Sequence, residues 1–189
     1  VRGDSVSFDF VAKGGKRRLQ SVVDPAVAAV LGSLKARRGG GPELLAYRHP
    51  ASRGAWVDIR SDDINDYIRE RSGIDCSAKD FRTWNATVLA AVALAASSGA
   101  ASPRAKVAGV TRAMSEVAYY LGNTPAVVRS SYVDPRVVDR YMAGDTISEV
   151  LPSIGADTVP GHPATQGAIE FAVIDLLDPM ESTLAEPAA

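Results

Sequence analysis

Tyr132 lies in the stretch LGNTPAVVRSSYVDPRV, between two helix-start signals and with Arg129 one turn before it. A tyrosine at a helix end ordinarily packs its ring and wets its hydroxyl. A phenol of pKa about 10 attacks an electrophile at neutral pH only if cations surround it or a partner takes its proton. Arg82, Lys13 and Arg129 are the candidates for that surrounding. Arg82 sits in KDFRTWNAT, one turn after Lys79. Its default role is a helix-surface charge facing Asp80 or solvent, but a guanidinium also clamps phosphate through two parallel N–H donors, which an ammonium cannot do. Lys13, in FDFVAKGGK, is by default a solubilising charge; held against a phosphodiester, its ammonium could pass a proton to a departing alkoxide. None of these signals is specific alone.

The elements that must position these residues follow from pattern. Val6, Phe8, Phe10 and Ala12 alternate with polar residues, then comes a Gly-Gly pair and a second run ending in Val22 and Val23. That predicts a β-hairpin whose two-residue Gly14-Gly15 turn places Lys13 and Lys16 at the tip. Asp24-Pro25 starts a short helix that ends before Gly39. Trp56-Val57 reads as extended, and Ser61 as the cap of a helix with Ile64, Tyr67 and Ile68 on its apolar face, closed by Gly73. An Ala-rich helix is expected from Lys79 to about Ala96. A second runs from Arg104 to Leu121, with Val107, Val110, Met114, Val117 and Leu121 facing the core. Thr124-Pro125 and Asp134-Pro135 predict short helices over about 125–131 and 135–142, with Tyr132 at their junction. The expected class is α+β, predominantly α: a small β element followed by a helical core.

The net charge of −1 conceals an asymmetry: residues 1–140 carry +7 and residues 141–189 carry −8. A basic body marks either a polyanion partner or a solvated face. The single cysteine, Cys76, excludes an intramolecular disulfide, and two histidines beside it form no metal-ligand pattern. No apolar run approaches the roughly 20 residues that span a bilayer, so no membrane is implied and the cytoplasm is expected. The first residue, Val1, leads straight into the strand pattern, which reads as a fragment with an upstream part missing. Beyond Gly144 the chain turns to Pro, Gly, Ser and acids; only Ile169–Leu177 could pack as a helix, and the last residues are expected to be disordered.

Taken together, FDFVAKGGK, KDFRTWNATVLAA and VTRAMSEVAYYLGNTPAVVRSSYVDPRVVDRY resemble, in order and spacing, the catalytic domain of type IB DNA topoisomerases, specifically the small poxvirus-like form found in bacteria. The resemblance covers roughly residues 1–142, leaving 143–189 as an acidic extension with no counterpart. It implies the fold shared by type IB topoisomerases and tyrosine recombinases, and an active site in which Tyr132 is the nucleophile. Lys13 matches the hairpin lysine and Arg82 one of the two arginines. Asn123, nine residues before Tyr132, stands where viral members carry histidine and bacterial members tend to carry asparagine. The family's other arginine belongs to a segment upstream of the hairpin, before this chain starts.

The resemblance further implies double-stranded DNA as partner, a monomer, a 3′-phosphotyrosyl intermediate, and no cofactor, neither ATP nor metal. Lys16, Lys79 and Arg129 are then candidate DNA contacts. A tyrosine recombinase is the nearest alternative, but recombinases usually show His three residues before this arginine, where Lys79 stands here, and a later His or Trp where Asn123 stands. A non-catalytic DNA-binding module that keeps the same fold is the alternative from another class.

Overall fold

The computed structural model describes residues 1–11, 15, 17–49, 53–99, 102–154 and 167–178. Among these the chain forms two compact units, one reaching from Val1 to Ser77 and the other beginning at Ala78. The architecture is mostly helical with two small antiparallel sheets, as the α+β, predominantly α reading expects.

In the first unit, β1 (Ser5–Val11) and β2 (Arg17–Val23) form the expected antiparallel hairpin. Its register differs from the expected one. Val11 faces Arg17, which leaves an odd number of residues between the last paired positions, whereas a two-residue Gly-Gly turn requires an even number. Lys13 and Lys16 themselves lie outside the described residues. An ion pair between Asp9 and Arg17, with Nη2 2.5 Å from Oδ2, braces the two strands near that end.

Helix α1 (Pro25–Ala36) starts as expected: Asp24 accepts from the Val27 amide at 3.0 Å and Pro25 occupies the first helical position. Val6, Ala28 and Leu31 form a small core that joins α1 to the hairpin. The stretch after α1 supplies a strand that periodicity did not reveal, β3 (Ala46–Arg48), paired with β4 (Trp56–Asp58). Three residues are too few to show alternation. The guanidinium carbons of Arg37 and Arg48 lie 5.4 and 5.0 Å from the centroid of the Trp56 ring.

Helix α2 (Ser61–Ser72) begins one residue earlier than expected, with Arg60 rather than Ser61 as its N-cap. The Asp63 carboxylate reaches back to the Arg60 amide at 2.7 Å, which satisfies the donor that a serine cap would have left to solvent. Gly73 closes the helix at φ 71°, the left-handed conformation that favours glycine.

The second unit holds the main core. Helices α3 (Ala78–Ala95), α4 (Pro103–Leu121), α5 (Pro125–Ser131) and α6 (Pro135–Ala143) match the expected spans to within a residue or two, with Ser102, Thr124 and Asp134 each accepting a backbone amide as N-cap. Ala86, Ala90, Leu94, Val110, Met114, Val117, Val128, Val137 and Tyr141 pack together. Val107, expected on the core face of α4, is exposed instead. Packing reaches this turn all the same, since the neighbouring Lys106 donates through Nζ to Met142 O at 2.9 Å.

The small residues of α3 and α4 allow close approach. A Cβ at Gly109 would meet the Tyr141 hydroxyl at 2.5 Å, so α4 and α6 touch where only a glycine fits. A short 3-10 helix (Ser148–Ser153) and α7 (Ala168–Leu177) complete the unit. Ile169 and Val173 are buried in the same core, and Trp84 Nε1 donates to Glu170 at 2.7 Å. The apolar part of the acidic segment thus joins the unit that carries Tyr132.

Candidate active site

Helix α3 and the α4–α6 region bring together three of the four residues singled out as candidate reagents. Arg82 lies in the second turn of α3, and its Nη2 donates to the Leu121 carbonyl at 2.6 Å. Leu121 is the last residue of α4, and Gly122 ends that helix at φ 75°. Terminal helix carbonyls lack intrahelical donors and carry the negative end of the helix dipole, so a guanidinium is a favourable partner there. Arg82 is thereby held at the turn that contains Asn123.

Tyr132 follows the last residue of α5. Its own amide and that of Val133 both donate to Val128 O, at 3.1 and 3.0 Å. With α6 restarting at Pro135, the phenol is carried on a short, fully hydrogen-bonded corner rather than a free loop. The Arg82 guanidinium carbon lies 5.4 Å from the centroid of the Tyr132 ring, within the range of a cation–π contact. Tyr132 is half-buried and Arg82 exposed. One of five N–H donors on Arg82 goes to Leu121, and no ion pair among the described residues takes up its charge.

Asn123 is half-buried, and its Nδ2 is buried with no hydrogen-bond partner among the described residues. Its backbone amide is satisfied by Ala118 O at 3.0 Å, so the unmet need belongs to the side chain alone. An unpaired buried amide costs on the order of 1–3 kcal/mol, which a ligand oxygen would relieve.

Two features escaped sequence reasoning. Thr87, one turn beyond Thr83 on α3, is buried, and its Oγ1 lies 3.3 Å from Tyr132 O and 3.1 Å from the Asp134 amide. Its only sequence signal was membership of the KDFRTWNAT motif. Arg136 pairs with Asp134 through Nη2 at 2.8 Å and reaches Leu177 O at 3.3 Å. Hydrogen bonds from Arg136 hold the Asp134 carboxyl below the usual carboxylate range. An open cleft of about 450 Å³ adjoins this corner, with Thr87, Ser131, Tyr132 and Asp134 in its wall; Arg82 is not part of that wall.

Of the candidate DNA contacts, Lys79 is exposed on the first turn of α3 and Arg129 is exposed in the last turn of α5. Lys13 and Lys16 lie outside the described residues. No helix among the described residues is long and apolar enough to cross a membrane. No cluster of three His, Cys, Asp or Glu side chains that could hold a metal occurs among them either.

The arrangement is a phenol on a rigid corner, a guanidinium fixed over its ring and an unpartnered amide in the turn to which that guanidinium is tied. It can neutralise an anion beside a nucleophilic oxygen. The chain matches no curated protein. The model of the family described as eukaryotic DNA topoisomerase I, catalytic core, matches residues 1–149, a span that contains the hairpin, Arg82, Asn123 and Tyr132. With most of its length matched in this way, the chain belongs to the topoisomerase I catalytic-core family, the type IB topoisomerases.

Proposed function

We propose that the protein relaxes supercoiled duplex DNA by transient cleavage of one strand, with Tyr132 as the nucleophile. The phenolic oxygen gives up its proton to solvent and forms a bond to phosphorus as the bond from phosphorus to the 5′ oxygen breaks, giving a 3′-phosphotyrosyl link and a free 5′-hydroxyl. The cut strand turns about the intact one, and the 5′-hydroxyl then attacks the link to restore the backbone and free Tyr132. Because the link is itself a phosphodiester, religation needs no ATP. Arg82 stabilises the negative charge that builds on the non-bridging oxygens, and Lys13 supplies the proton taken up by the departing 5′ oxygen. Asn123 donates a neutral hydrogen bond to a non-bridging oxygen. No metal enters this scheme.

The observation that carries the reading is the Arg82 guanidinium held over the Tyr132 ring by Leu121 O. The poxvirus-like bacterial form, a monomer in the cytoplasm, is the version that the motifs favour, since asparagine stands at position 123. The +7 body would cradle the duplex chiefly through its phosphates, with Lys16, Lys79 and Arg129 among the contacts, so binding should weaken steeply with salt. The test is to trap the adduct on supercoiled DNA. Denaturation of a reaction mixture should leave protein covalently attached to a 3′ end, and Tyr132→Phe should abolish it; an adduct that survives that change removes Tyr132 from the role.

A further inference from the structure

We infer that Thr87 is a positioning residue for Tyr132, holding the corner on which the phenol is mounted to the same helix that carries Arg82. This rests on the function proposed above. The segment Tyr132–Asp134 presents three consecutive backbone amides between two helices. The first two are satisfied within α5, by Val128 O. The third, on Asp134, donates to Thr87 Oγ1 at 3.1 Å. On the other side of the same peptide pair, Tyr132 O lies 3.3 Å from that oxygen and Thr83 O 3.0 Å, so the single hydroxyl proton is shared between them.

Serine and threonine on helices often bond only to the carbonyl one turn back. Thr87 differs, because its oxygen also accepts from an amide on another element and the side chain is only 2% exposed. Val133, between the two bonded residues, is itself buried in the core, which leaves the corner little freedom to rotate as a body. Helix α3 therefore grips Tyr132 twice, the ring through Arg82 and the backbone through Thr87. The two grips hold the spacing between guanidinium and phenol constant, a quantity to which an in-line attack is sensitive.

The test compares Thr87→Val, which keeps the shape and removes the hydroxyl, with Thr87→Ser, which keeps the hydroxyl, in the intact protein. Thr87→Ala replaces the valine variant if that one does not fold. Three quantities are read: the single-turnover rate of adduct formation on a nicked duplex, the Kd for the same duplex, and hydrogen exchange at the Asp134 amide. In Thr87→Val, adduct formation should slow by about 10- to 100-fold, the loss typical of a reacting group displaced by an ångström or so. Its Kd should stay near the parental value and Asp134 exchange should accelerate, while Thr87→Ser restores most of the rate.

A valine variant as fast as the parent overturns the proposal, as does a serine variant as slow as valine, or a Kd that weakens in step with the rate. If the parent itself forms no adduct while Thr87→Val still accelerates Asp134 exchange, the catalytic reading of Tyr132 fails. Thr87 is then a fold contact only.

Discussion

The guanidinium of Arg82 stands over the ring of Tyr132, 5.4 Å from its centroid, while one of its N–H groups is bonded to the carbonyl that ends α4. The second contact explains why the first is stable in a side chain that is otherwise exposed: the helix terminus supplies both a hydrogen bond and a favourable potential. Both contacts depend on the planar fork of arginine. Arg82→Lys should therefore behave like Arg82→Ala, slowing adduct formation by about 10²–10³-fold, the loss typical of removing one preorganised donor to a transition-state oxygen. Single-turnover cleavage by the two variants checks this; a lysine variant near parental speed would mean that charge alone suffices.

Lys13→Ala should slow cleavage by about 10²–10⁴-fold if the lysine acts as general acid. A DNA substrate with sulfur at the 5′ bridging position has a leaving group that needs no proton. It should restore the rate of Lys13→Ala, and absence of rescue would remove that role.

Asn123 carries no ionisable group, so its hydrogen bond should persist across the neutral pH range. Asn123→His introduces an imidazole whose unperturbed pKa is about 6.5, and the variant's cleavage rate should acquire a pH dependence near that value, faster on the acid side where the ring is charged. The ratio of variant to parental rates, measured from pH 5.5 to about 8.5, is the readout. A ratio that does not change with pH would show that position 123 does not touch the developing charge.

Asp134 caps α6 and pairs with Arg136, and those hydrogen bonds hold its carboxyl below the ordinary value of 3.8. A carboxylate whose folded pKa is depressed contributes stability that is fully present above its unfolded pKa and is lost as pH falls through the folded one. Asp134→Ala should lower stability by about 1 kcal/mol at neutral pH, mostly through the lost cap. The exposed ion pair adds little. The difference from the parent should narrow below pH about 4, where the parental carboxyl also protonates. Denaturant titrations at several pH values measure it.

Gly109 and Tyr141 set the approach of α4 to α6. Gly109→Ala places a methyl 2.5 Å from the Tyr141 hydroxyl, which is buried and donates to Ser97 O at 3.2 Å. Overpacking of this kind costs roughly 1–3 kcal/mol. Thermal unfolding should show that loss, and Tyr141→Phe, which removes the colliding oxygen, should recover part of it in the double variant. Additive losses in the two variants would show that the hydroxyl is not the obstacle.

The helices of the second unit were legible because their signals are local. Thr124-Pro125 and Asp134-Pro135 each combine a side chain that accepts a helix amide with a ring that supplies helical φ; Ser102-Pro103 does the same for α4, which its apolar repeat placed from Arg104. The position of Tyr132 at a junction followed from two of those starts. The strand β3 and the register of the hairpin were not legible, since three residues show no period and a loop length is set by pairing rather than by the Gly-Gly pair alone. Val107 continued the periodicity of α4 yet is exposed, because a repeat tells which face is apolar and not which of its residues a neighbouring element covers.

Residue types and order, through the resemblance their motifs carry, were enough to single out Tyr132, Asn123, Arg82 and Lys13 as candidates, although no one of them was specific alone. Only the tertiary structure decided how Arg82 is held, through a carbonyl 39 residues away, and that Thr87 meets Asp134 across 47 residues. Contacts at such separations depend on how α3 packs against α4 and α6. That packing is set by the volumes of the whole core and is written in no single stretch.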